Sequence, residues 1–390
     1  MVIVLHNYDE LVSVVIPCYN HEAYIASTID SVLSQTYQNI ELIVGDDCST
    51  DDTRSILRQI KDPRVKCVFY PENKGVISSL NGLLRQARGE YICMLGSDDF
   101  FYPEKLERQL EAFRNNPSLG AVFTGVQTVD EDNVPYDEHA VISVLFQEKN
   151  RTQAQWIRHF FETGNHLCHS SVMIPGRVRE EIGWFQYAYR QLHDFDYWLR
   201  LLCRYPIELI PEKLTAYRRA REDNTSVSAT GTANEMRVLN EYAMLFSQLF
   251  ESIPQPLFEE AFSDLIQNPI PLNDALFEAE RFRILQTLSF ADVDIHGSAV
   301  LFFLNNILPH MNEDVDSTFA RELIQQFYEQ TGMQSVGENV REQNKQYMKA
   351  VHQLSGEAEL LRREIEKMLN TKGWKMLETI RGIRRKIHLP

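Results

Sequence analysis

Apolar runs and amphipathic segments alternate along the first third of the chain. Consecutive apolar, largely β-branched residues predict strands at Leu11–Ile16, Ile40–Val44, Val65–Tyr70, Tyr91–Leu95 and Ala121–Val129. Apolar residues at helical spacing predict helices between them at His21–Gln35, Thr50–Ile60, Val76–Ala87 and Glu104–Arg114. Strands without polar positions are covered on both faces, so this alternation predicts an α/β fold with a mostly parallel sheet. Ligands of such sheets bind at the carboxyl ends of the strands.

The pattern changes farther along the chain. A helix is predicted at Asp194–Cys203 and a short strand at Ile207–Ile210, and after Thr225 only segments of helical period follow. These segments are Ala233–Phe250, Pro256–Gln267, Asn273–Leu288, Ser298–Leu308 and Thr318–Thr331. We therefore expect a first domain at 1–230 and an all-helical domain at 231–333.

A long helix is predicted at 334–370, because apolar residues there are spaced alternately by four and three. They are Tyr347, Val351, Leu354, Ala358, Leu361, Ile365 and Met368. This heptad, with Asn344 at a preceding core position, is typical of a two-stranded coiled coil and predicts a homodimer through 340–369. The alternative is a single amphipathic helix lying on its own domain. Gly356, which costs about 1 kcal/mol within a helix, weakens the coiled-coil prediction.

The last segment, 371–390, is basic and amphipathic. It contains six lysines and arginines but one acidic residue, Glu378. Its apolar residues recur at helical spacing: Trp374, Leu377, Ile380, Ile383 and Ile387. Such a helix suits an anionic membrane surface, which predicts peripheral membrane contact. The alternatives are a solvated, frayed terminus or a strip that docks on the acidic body of the protein.

Composition narrows the partners and the compartment. The chain of 390 residues has 39 Lys and Arg against 55 Asp and Glu, a formal net charge of −16. Phosphate contacts supply most nucleic-acid affinity, so we expect no nucleic-acid partner. No run of about 18 apolar residues predicts a membrane span, and Met1–Leu5 is too short for a signal peptide. The six cysteines lack paired spacing, which argues against disulfides or a zinc site and favours the cytoplasm.

The most informative polar cluster follows the predicted strand at Tyr91–Leu95. Ser97, Asp98 and Asp99 place two adjacent carboxylates at the carboxyl end of that strand. Mg²⁺ and Mn²⁺ take one or two protein carboxylates together with phosphate oxygens of a ligand, so the pair suits a divalent metal. Alternatively, Asp99 simply caps a helix that opens near Pro103.

Two other loops at the same predicted edge carry candidates for base recognition. Asp46 and Asp47 end the second strand, where a carboxylate can accept an N–H from a nucleobase. Asp51 and Asp52 precede a helix and are expected to cap it. Tyr19 follows the first strand and could stack on a base, although packing in the core or on the surface is the commoner role of a lone tyrosine.

A further carboxylate, Asp194, stands at the start of a helix whose apolar face includes Trp198 and Leu199. Capping is one role for it, and a general base at the mouth of a site is another. His193 is expected to be a hydrogen-bonding neighbour rather than a metal ligand. The chain has no Gly-x-Ser-x-Gly elbow, Walker A motif or Gly-x-Gly-x-x-Gly motif, which weakens hydrolase, ATPase and Rossmann dehydrogenase interpretations.

Taken together and in this order, these blocks resemble glycosyltransferase family 2, the inverting enzymes with the GT-A fold. The resembling blocks are Val12–Asn20 (VSVVIPCYN), Ser31–Thr53, Asn73–Gly75, Ala87–Asp99 (ARGEYICMLGSDD), and His193–Leu201 (HDFDYWLRL) ending in Ala216–Arg218. The resemblance covers residues 11–226, and the succession of blocks is far more specific than any single one. It implies a GT-A transferase domain, here followed by the all-helical region.

The resemblance implies a nucleotide-sugar donor, with UDP or dTDP as the nucleotide. Tyr19 would stack on the base and Asp47 would bind its edge. Asp99, helped by Asp98, would hold Mn²⁺ or Mg²⁺ against the diphosphate, and the metal would offset charge on the leaving group. Asp194 matches the catalytic base of the family. The further donor contacts implied are Pro17, Asn20, Asn73, Gly75 and Asp98.

The sequence departs from the family at three places. Leu80 stands where an arginine is frequent, and His193 stands where a glutamate is usual. Arg219, Ala220 and Arg221 occupy the positions after the Tyr-Arg pair, where a histidine is common. An arginine there could neutralise the diphosphate. The residues expected to contact the diphosphate or the acceptor are Arg218, Arg219, Arg221, His169 and His193.

The Gln-x-x-Arg-Trp motif and membrane helices of processive synthases are missing, so we expect one sugar to be added per encounter. The tail at 371–390 resembles those of bacterial surface-polysaccharide transferases, which implies a lipid-linked glycan acceptor at the inner face of the cell membrane. One alternative is a catalytically degenerate protein that binds a nucleotide sugar or a partner. Another is a sugar nucleotidyltransferase, whose Gly-rich, Arg-containing signature is missing.

Overall fold

The computed structural model describes residues 10–136, 146–219, 232–268, 270, 272 and 274–287. All of them lie in the first of the chain's two units, Met1–Asn312. The predicted coiled coil at 340–369, the basic tail at 371–390 and Arg221 lie outside the described residues. The domain boundaries expected from the sequence therefore stay predictions. None of the helices in the described ranges is long and apolar enough to cross a membrane.

Eight strands form one sheet in the order β3-β2-β1-β4-β7-β6-β8-β5. The strands are β1 (Val12–Cys18), β2 (Ile40–Asp46), β3 (Val65–Phe69), β4 (Tyr91–Met94), β5 (Phe100–Phe101), β6 (Ala121–Val129), β7 (Met173–Pro175) and β8 (Ile207–Arg218). Strands β3, β2, β1 and β4 run parallel, as do β6 and β8, whereas β7 and β5 run antiparallel to their neighbours. The predicted mostly parallel α/β sheet is thus confirmed.

Ten α-helices are described in this part of the chain. They are α1 (Ile25–Leu33), α2 (Thr53–Gln59), α3 (Val76–Leu84), α4 (Lys105–Asn115), α5 (Gln153–Thr163), α6 (Gly176–Ile182), α7 (His193–Leu202), α8 (Thr232–Ser252), α9 (Gln255–Ala261) and α10 (Asp274–Thr287). Side chains alternate between the faces of a strand, so Val14 and Ile16 pack with Ile29 of α1 in one core layer. Gly45 faces the other layer, where a Cβ would lie within 3.0 Å of Leu83 in α3. Helices therefore cover both faces.

The register of the parallel strands brings their carboxyl ends together. Cys18 at the end of β1 lies beside Asp46 at the end of β2, and Asp46 lies beside Phe69 at the end of β3. The loops that follow these strands therefore open at one edge of the sheet, where ligands of α/β proteins bind.

Helices α8 to α10 continue the core of the sheet-bearing part rather than standing apart from it. Aromatic rings join the two: the ring of Phe161 in α5 lies 4.8 Å from that of Phe246 and 4.6 Å from that of Phe250, both in α8. The ring of Phe262, which directly follows α9, contacts the rings of Phe161 and Phe250. The region is helical where it is described, as the sequence predicts.

Candidate active site

The loops after β1 and β2 are fastened to each other. The Asn20 backbone N–H donates to Ser49 Oγ at 2.9 Å, and the Asn20 carboxamide oxygen accepts from the backbone N–H of Thr50 at 2.8 Å. Asn20 has a φ of 54°, a left-handed conformation that asparagine tolerates well. Asn20, one of the predicted donor contacts, therefore links the loop after β1 to the loop after β2. Tyr19 beside it is 43% exposed, so its ring is accessible for stacking.

Asp47 lies at the bottom of this edge and is 3% exposed. Its carboxylate accepts the backbone N–H groups of Lys74 at 2.9 Å and Gly75 at 2.8 Å. The Asn73 side chain also accepts from the Gly75 N–H, at 3.1 Å. The structure thus brings together three predicted donor-binding residues that are up to 28 positions apart in sequence. Each carboxylate oxygen has two lone pairs, so Asp47 retains capacity to accept a further N–H.

The two adjacent carboxylates after β4 are not equivalent. Asp99 is 4% exposed, and its oxygens accept the backbone N–H of Arg218 at 2.8 Å and the hydroxyl of Ser170. Burial, followed by the neighbouring Asp98 carboxylate, raises the pKa of Asp99 to about 8. Asp98 is partly exposed, and its carboxylate makes no hydrogen bond to another residue in the described ranges. Asp98 is therefore the more available ligand of the predicted pair.

The turn that carries these carboxylates is held by α1 and by Gly96. The Thr28 hydroxyl donates to the backbone oxygens of Ser97 at 3.1 Å and Asp99 at 2.8 Å. A Cβ at Gly96 would lie 2.8 Å from an Asp99 oxygen and 3.1 Å from an Asp98 oxygen, so both carboxylates gather around this glycine. The described residues contain no group of three or more His, Cys, Asp or Glu side chains that could hold a metal. A cation here would need oxygens from a ligand as well, as Mg²⁺ and Mn²⁺ commonly do.

Arg218, which was predicted to contact the diphosphate or the acceptor, is bound to several protein groups in this structure. Its Nε donates to the Asp98 carbonyl at 2.8 Å, its Nη1 to the Asp130 carbonyl at 2.8 Å, and its Nη2 to the Asn133 side chain at 2.6 Å. The guanidinium also lies 4.4 Å from the ring centroid of Tyr24. Because these N–H groups donate to protein oxygens, Arg218 links the turn that carries Asp98 and Asp99 to the loop after β6.

Arg219 and Arg221 were predicted, with Arg218, to contact the diphosphate or the acceptor. Arg219 hydrogen-bonds with its backbone to Val129 and Tyr136, and its side chain bonds to Tyr217. Arg221 lies outside the described residues. A role of either arginine at the diphosphate stays a prediction.

Asp194 sits in the first turn of α7, where the positive end of the helix favours a carboxylate. One oxygen accepts the backbone N–H of Phe195 at 2.7 Å, and the other accepts the side-chain N–H of Asn165 at 3.1 Å. Burial is the largest influence on its pKa and raises it, although the nearby His193 opposes the shift. A carboxylate with a raised pKa is a stronger proton acceptor, which suits the predicted base.

The two predicted histidines lie next to each other near Asp194, with ring centroids 5.8 Å apart. The His169 ring contacts Phe185 and Trp198, and burial lowers its pKa to about 3, so it is neutral. Its Nδ1 is buried without a hydrogen-bond partner in the described structure. The His169 ring is therefore packed in the core, and its contact with an acceptor stays a prediction. His193 Nδ1 bonds the Arg190 carbonyl at 3.2 Å.

A single segment, Asn165–Ser170, connects the candidate base to the candidate metal ligands. Asn165 at one end bonds Asp194, and Ser170 at the other bonds Asp99 and the backbone N–H of Gly96. Between them, burial raises the pKa of the Cys168 thiol, and the carboxylates of Asp99 and Asp194 add to that effect. The segment therefore contacts both Asp194 and Asp99, which were predicted as parts of separate motifs.

The sequence prediction missed the hydrogen bonds that Asn165, Ser170 and Thr28 make to the site. Asn165 follows Gly164, a helix-ending glycine with a φ of 88°, which is a local signal for a turn. The partner of each missed residue lies 29 to 74 positions away, and no local pattern reveals such a contact.

Comparison with known proteins identifies the family of this chain. The model of the family described as "Glycosyl transferase family 2" matches residues 13–203. An uncharacterized glycosyltransferase of Rickettsia typhi, RT0329, is 31% identical over 250 residues, which cover 64% of this chain and 74% of that protein. The chain belongs to glycosyltransferase family 2. The prediction made from the motifs is confirmed.

Two other relatives of this family 2 protein have names that state a pathway or a reaction. The putative teichuronic acid biosynthesis glycosyltransferase TuaG of Bacillus subtilis is 41% identical over 36% of this chain and 58% of its own. WfaP of Escherichia coli, a UDP-Glc:alpha-D-GlcNAc-diphosphoundecaprenol beta-1,3-glucosyltransferase, is 46% identical over 26% of this chain and 40% of its own. The matches to these two relatives thus span less than two thirds of their lengths.

A solved structure shows the same fold as this family 2 chain. Staphylococcus aureus TarS 1-349, determined in complex with UDP-GlcNAc, aligns with a TM-score of 0.51 and 16% identity. The alignment covers 75% of this chain and 90% of that one. The predicted GT-A fold is confirmed, and the chain is a glycosyltransferase of family 2.

Proposed function

We propose that the protein is an inverting, non-processive glycosyltransferase that moves one sugar from a UDP- or dTDP-sugar to a hydroxyl of a lipid-linked glycan. The observation that carries this proposal is the segment Asn165–Ser170, which contacts both the carboxylate suited to a base, Asp194, and Asp99, one of the two carboxylates suited to a cation. A transferase needs both groups on opposite sides of one reacting carbon. A protein that only binds nucleotides needs neither contact.

The nucleotide is assigned to the loops after β1 and β2. The exposed ring of Tyr19 offers a stacking surface, and buried Asp47 offers an acceptor for a base N–H. The bonds from Lys74 and Gly75 keep the Asp47 carboxylate in place before the donor arrives. Such preorganisation reduces the ordering that binding would otherwise cost.

The diphosphate is assigned to the turn after β4. The carboxylates of Asp98 and Asp99 fit a hard divalent cation. Asp98 is the leading ligand because its carboxylate accepts no hydrogen bond from another residue in the described ranges. Mn²⁺ or Mg²⁺ bound there would supply positive charge to the departing nucleoside diphosphate. Ser170 and the Arg218 backbone N–H hold Asp99 in position beside Asp98.

The proton transfer is assigned to Asp194. As the acceptor oxygen forms its bond to the anomeric carbon, its proton passes to the Asp194 carboxylate. The bond from that carbon to the diphosphate oxygen breaks, and its electron pair leaves with the nucleoside diphosphate. Attack from the face opposite the leaving group inverts the configuration. The raised pKa of Asp194 and the bond from Asn165 keep the acceptor of the proton strong and oriented.

The first test is a thermal-shift panel of UDP, dTDP, GDP and CMP, each with and without Mn²⁺. A ligand at about 100 times its Kd adds roughly 2.7 kcal/mol of stability, which such a panel detects. We expect one metal-dependent shift in the wild type, its loss in Asp98→Asn, and its retention in Asp30→Asn, an exposed control on α1. The absence of any nucleotide shift would favour the degenerate partner-binding alternative.

The second test concerns the acceptor. UDP-glucose and GlcNAc-diphosphoundecaprenol, the pair in the name of WfaP, form a starting assay with UDP release as the readout. We expect release that requires the lipid-linked sugar and disappears in Asp194→Asn. Nuclear magnetic resonance of the new anomeric bond tests inversion, and retention of configuration would contradict the mechanism.

A further inference from the structure

The turn that precedes the candidate base is bound by a carboxylate from another part of the chain. Glu241 of α8 accepts the backbone N–H groups of Arg190 at 3.0 Å, Gln191 at 2.9 Å and Leu192 at 2.9 Å. Leu192 is two residues before Asp194. All three donors are consecutive, so one side chain fixes the path of the backbone into α7.

Glu241 is 4% exposed, and a buried carboxylate is costly unless charge-assisted hydrogen bonds replace its water. Three backbone N–H groups supply that replacement, and such bonds to an ionised acceptor are about twice as strong as neutral ones. The carboxylate in turn satisfies three backbone donors. The contact is therefore mutual, and removing Glu241 releases the turn.

Helix α8 holds the same turn at two further points. The Tyr189 hydroxyl donates to the Gln248 side chain at 3.0 Å. On the other side of Asp194, the ring of Phe195 lies 6.0 Å from that of Tyr242 and 6.1 Å from that of Phe246. The residues before and after the candidate base thus both rest on α8, at positions about 50 residues farther along the chain.

We propose that Glu241 is a positioning residue of the transferase, which fixes the Arg190–Leu192 turn so that Asp194 faces the acceptor hydroxyl. This inference rests on the role proposed for Asp194. It makes α8 a part of the acceptor side of the site rather than a separate module. A base displaced by about 1 Å loses on the order of a hundredfold in rate, so a fixed turn matters to catalysis.

The test compares wild type with Glu241→Gln, Tyr189→Phe and the control Glu251→Gln. Glu251 is an exposed glutamate of the same helix, so the control removes the same charge without touching the turn. Amide hydrogen exchange at 190–192, UDP binding with Mn²⁺ by thermal shift, and steady-state turnover with UDP-glucose and GlcNAc-diphosphoundecaprenol are measured for each variant.

We expect faster exchange at 190–192 in Glu241→Gln, an unchanged nucleotide shift, and a kcat that falls about 10- to 100-fold while the KM for UDP-glucose stays within twofold. Tyr189→Phe, which removes only a hydroxyl, should show a smaller loss of the same kind. Glu251→Gln should match the wild type. A purely structural role would lower the melting temperature and the amount of active protein but leave kcat per folded molecule unchanged.

If Glu241→Gln and Tyr189→Phe both keep the wild-type kcat, whether or not amide exchange at 190–192 is faster, the proposal is overturned. If Glu241→Gln does not fold, Tyr189→Phe decides the question in the same assays. If the wild type transfers sugar from neither UDP- nor dTDP-sugar donors, the proposed function has failed and the positioning role falls with it. The exchange data, which need no substrate, would then still show whether Glu241 anchors the turn.

Discussion

Adjacent carboxylates at the end of β4 differ in what they contact, and this difference assigns them different tasks. Asp99 accepts hydrogen bonds from the Arg218 backbone and from Ser170, whereas Asp98 has no such partner among the described residues. The motif alone does not predict this division, because both residues are aspartates at adjacent positions. The predicted order, with Asp99 as the first metal ligand, is replaced here by a proposal that puts Asp98 first.

This division predicts that mutations at the two positions change the free energy of unfolding by different amounts. Asp99→Ala leaves a buried N–H and a buried hydroxyl without their acceptor, so we expect a loss of about 1–3 kcal/mol in the free energy of unfolding. Asp98→Asn should change it by no more than about 0.5 kcal/mol. Urea unfolding without nucleotide or metal measures both. Equal losses in the two variants would contradict the assignment.

A second prediction concerns the hydrogen bond from Asn165 to Asp194. The bond stabilises the ionised carboxylate, so Asn165→Ala should raise the pKa of Asp194 further. The base acts only when deprotonated. The acidic limb of the pH profile of kcat/KM should therefore move to higher pH, with activity reduced on that limb and recovered as the pH rises.

The matched control is Asn116→Ala. Asn116 accepts the backbone N–H of the residue two positions later, as Asn165 does, but it is exposed and contacts no site residue. Its pH profile should equal that of the wild type. A profile of Asn165→Ala that keeps its midpoint and merely drops in height would show that the bond does not tune the base.

At the scale of elements, the pattern of the sequence predicts strands and helices well where they are long. Strands β1 to β4 and β6 were predicted because buried parallel strands contain uninterrupted apolar runs. Strand β7, Met173–Pro175, is too short to leave a pattern. Strand β8 was predicted to end at Ile210 but continues to Arg218. The pairing with β6 shifts register between Thr124 and Val126, and this shift accommodates the polar residues that follow Ile210 in β8.

Helix α3 begins at a glycine whose conformation matters to the nucleotide site. Gly75 has a φ of 83° and donates its N–H to Asp47. Gly75→Ala forces a Cβ into the left-handed region, which costs roughly 1–2 kcal/mol, or shifts the backbone away from Asp47. We expect both lower stability and a weaker shift with the nucleotide that stabilises the wild type.

Gly183→Ala provides the comparison for that prediction. Gly183 has a φ of 86°, and a Cβ there would meet no atom within 4 Å, as at Gly75. It follows α6 and contributes no hydrogen bond to Asp47. A similar loss of stability with unchanged nucleotide affinity would isolate the effect of the Asp47 contact, whereas equal weakening in both variants would remove it.

At the scale of the whole described unit, α8 and the sheet-bearing part share one aromatic core. Phe161, buried in α5, contacts Phe246, Phe250 and Phe262. The succession of family motifs predicted the candidate carboxylates, because the motifs that carry Asp47, Asp98 and Asp99 follow strands and the motif that carries Asp194 opens a helix. Neither the aromatic core nor the Glu241 contact could be predicted, because each joins side chains from segments whose patterns indicate only that they are helices.

This shared core predicts cooperative unfolding. Phe246→Ala should lower the free energy of unfolding by about 3–5 kcal/mol, and the transition should remain single. Circular dichroism and the fluorescence of Trp156 and Trp198, which lie in α5 and α7, should report the same midpoint. A fluorescence midpoint that stays at the wild-type value while the helical signal moves would show that the helices unfold independently.

The contact between Glu241 and the turn before α7 also bears on how members of such a family could be recombined. A hybrid joined near residue 231 would pair the sheet of one protein with the helices of another and exchange the carboxylate that orients the base. Functional crossover points should therefore lie outside the span from Arg190 to Glu241, or preserve a glutamate at that place in α8. Acceptor preference and catalytic competence would then be inherited together, as one block.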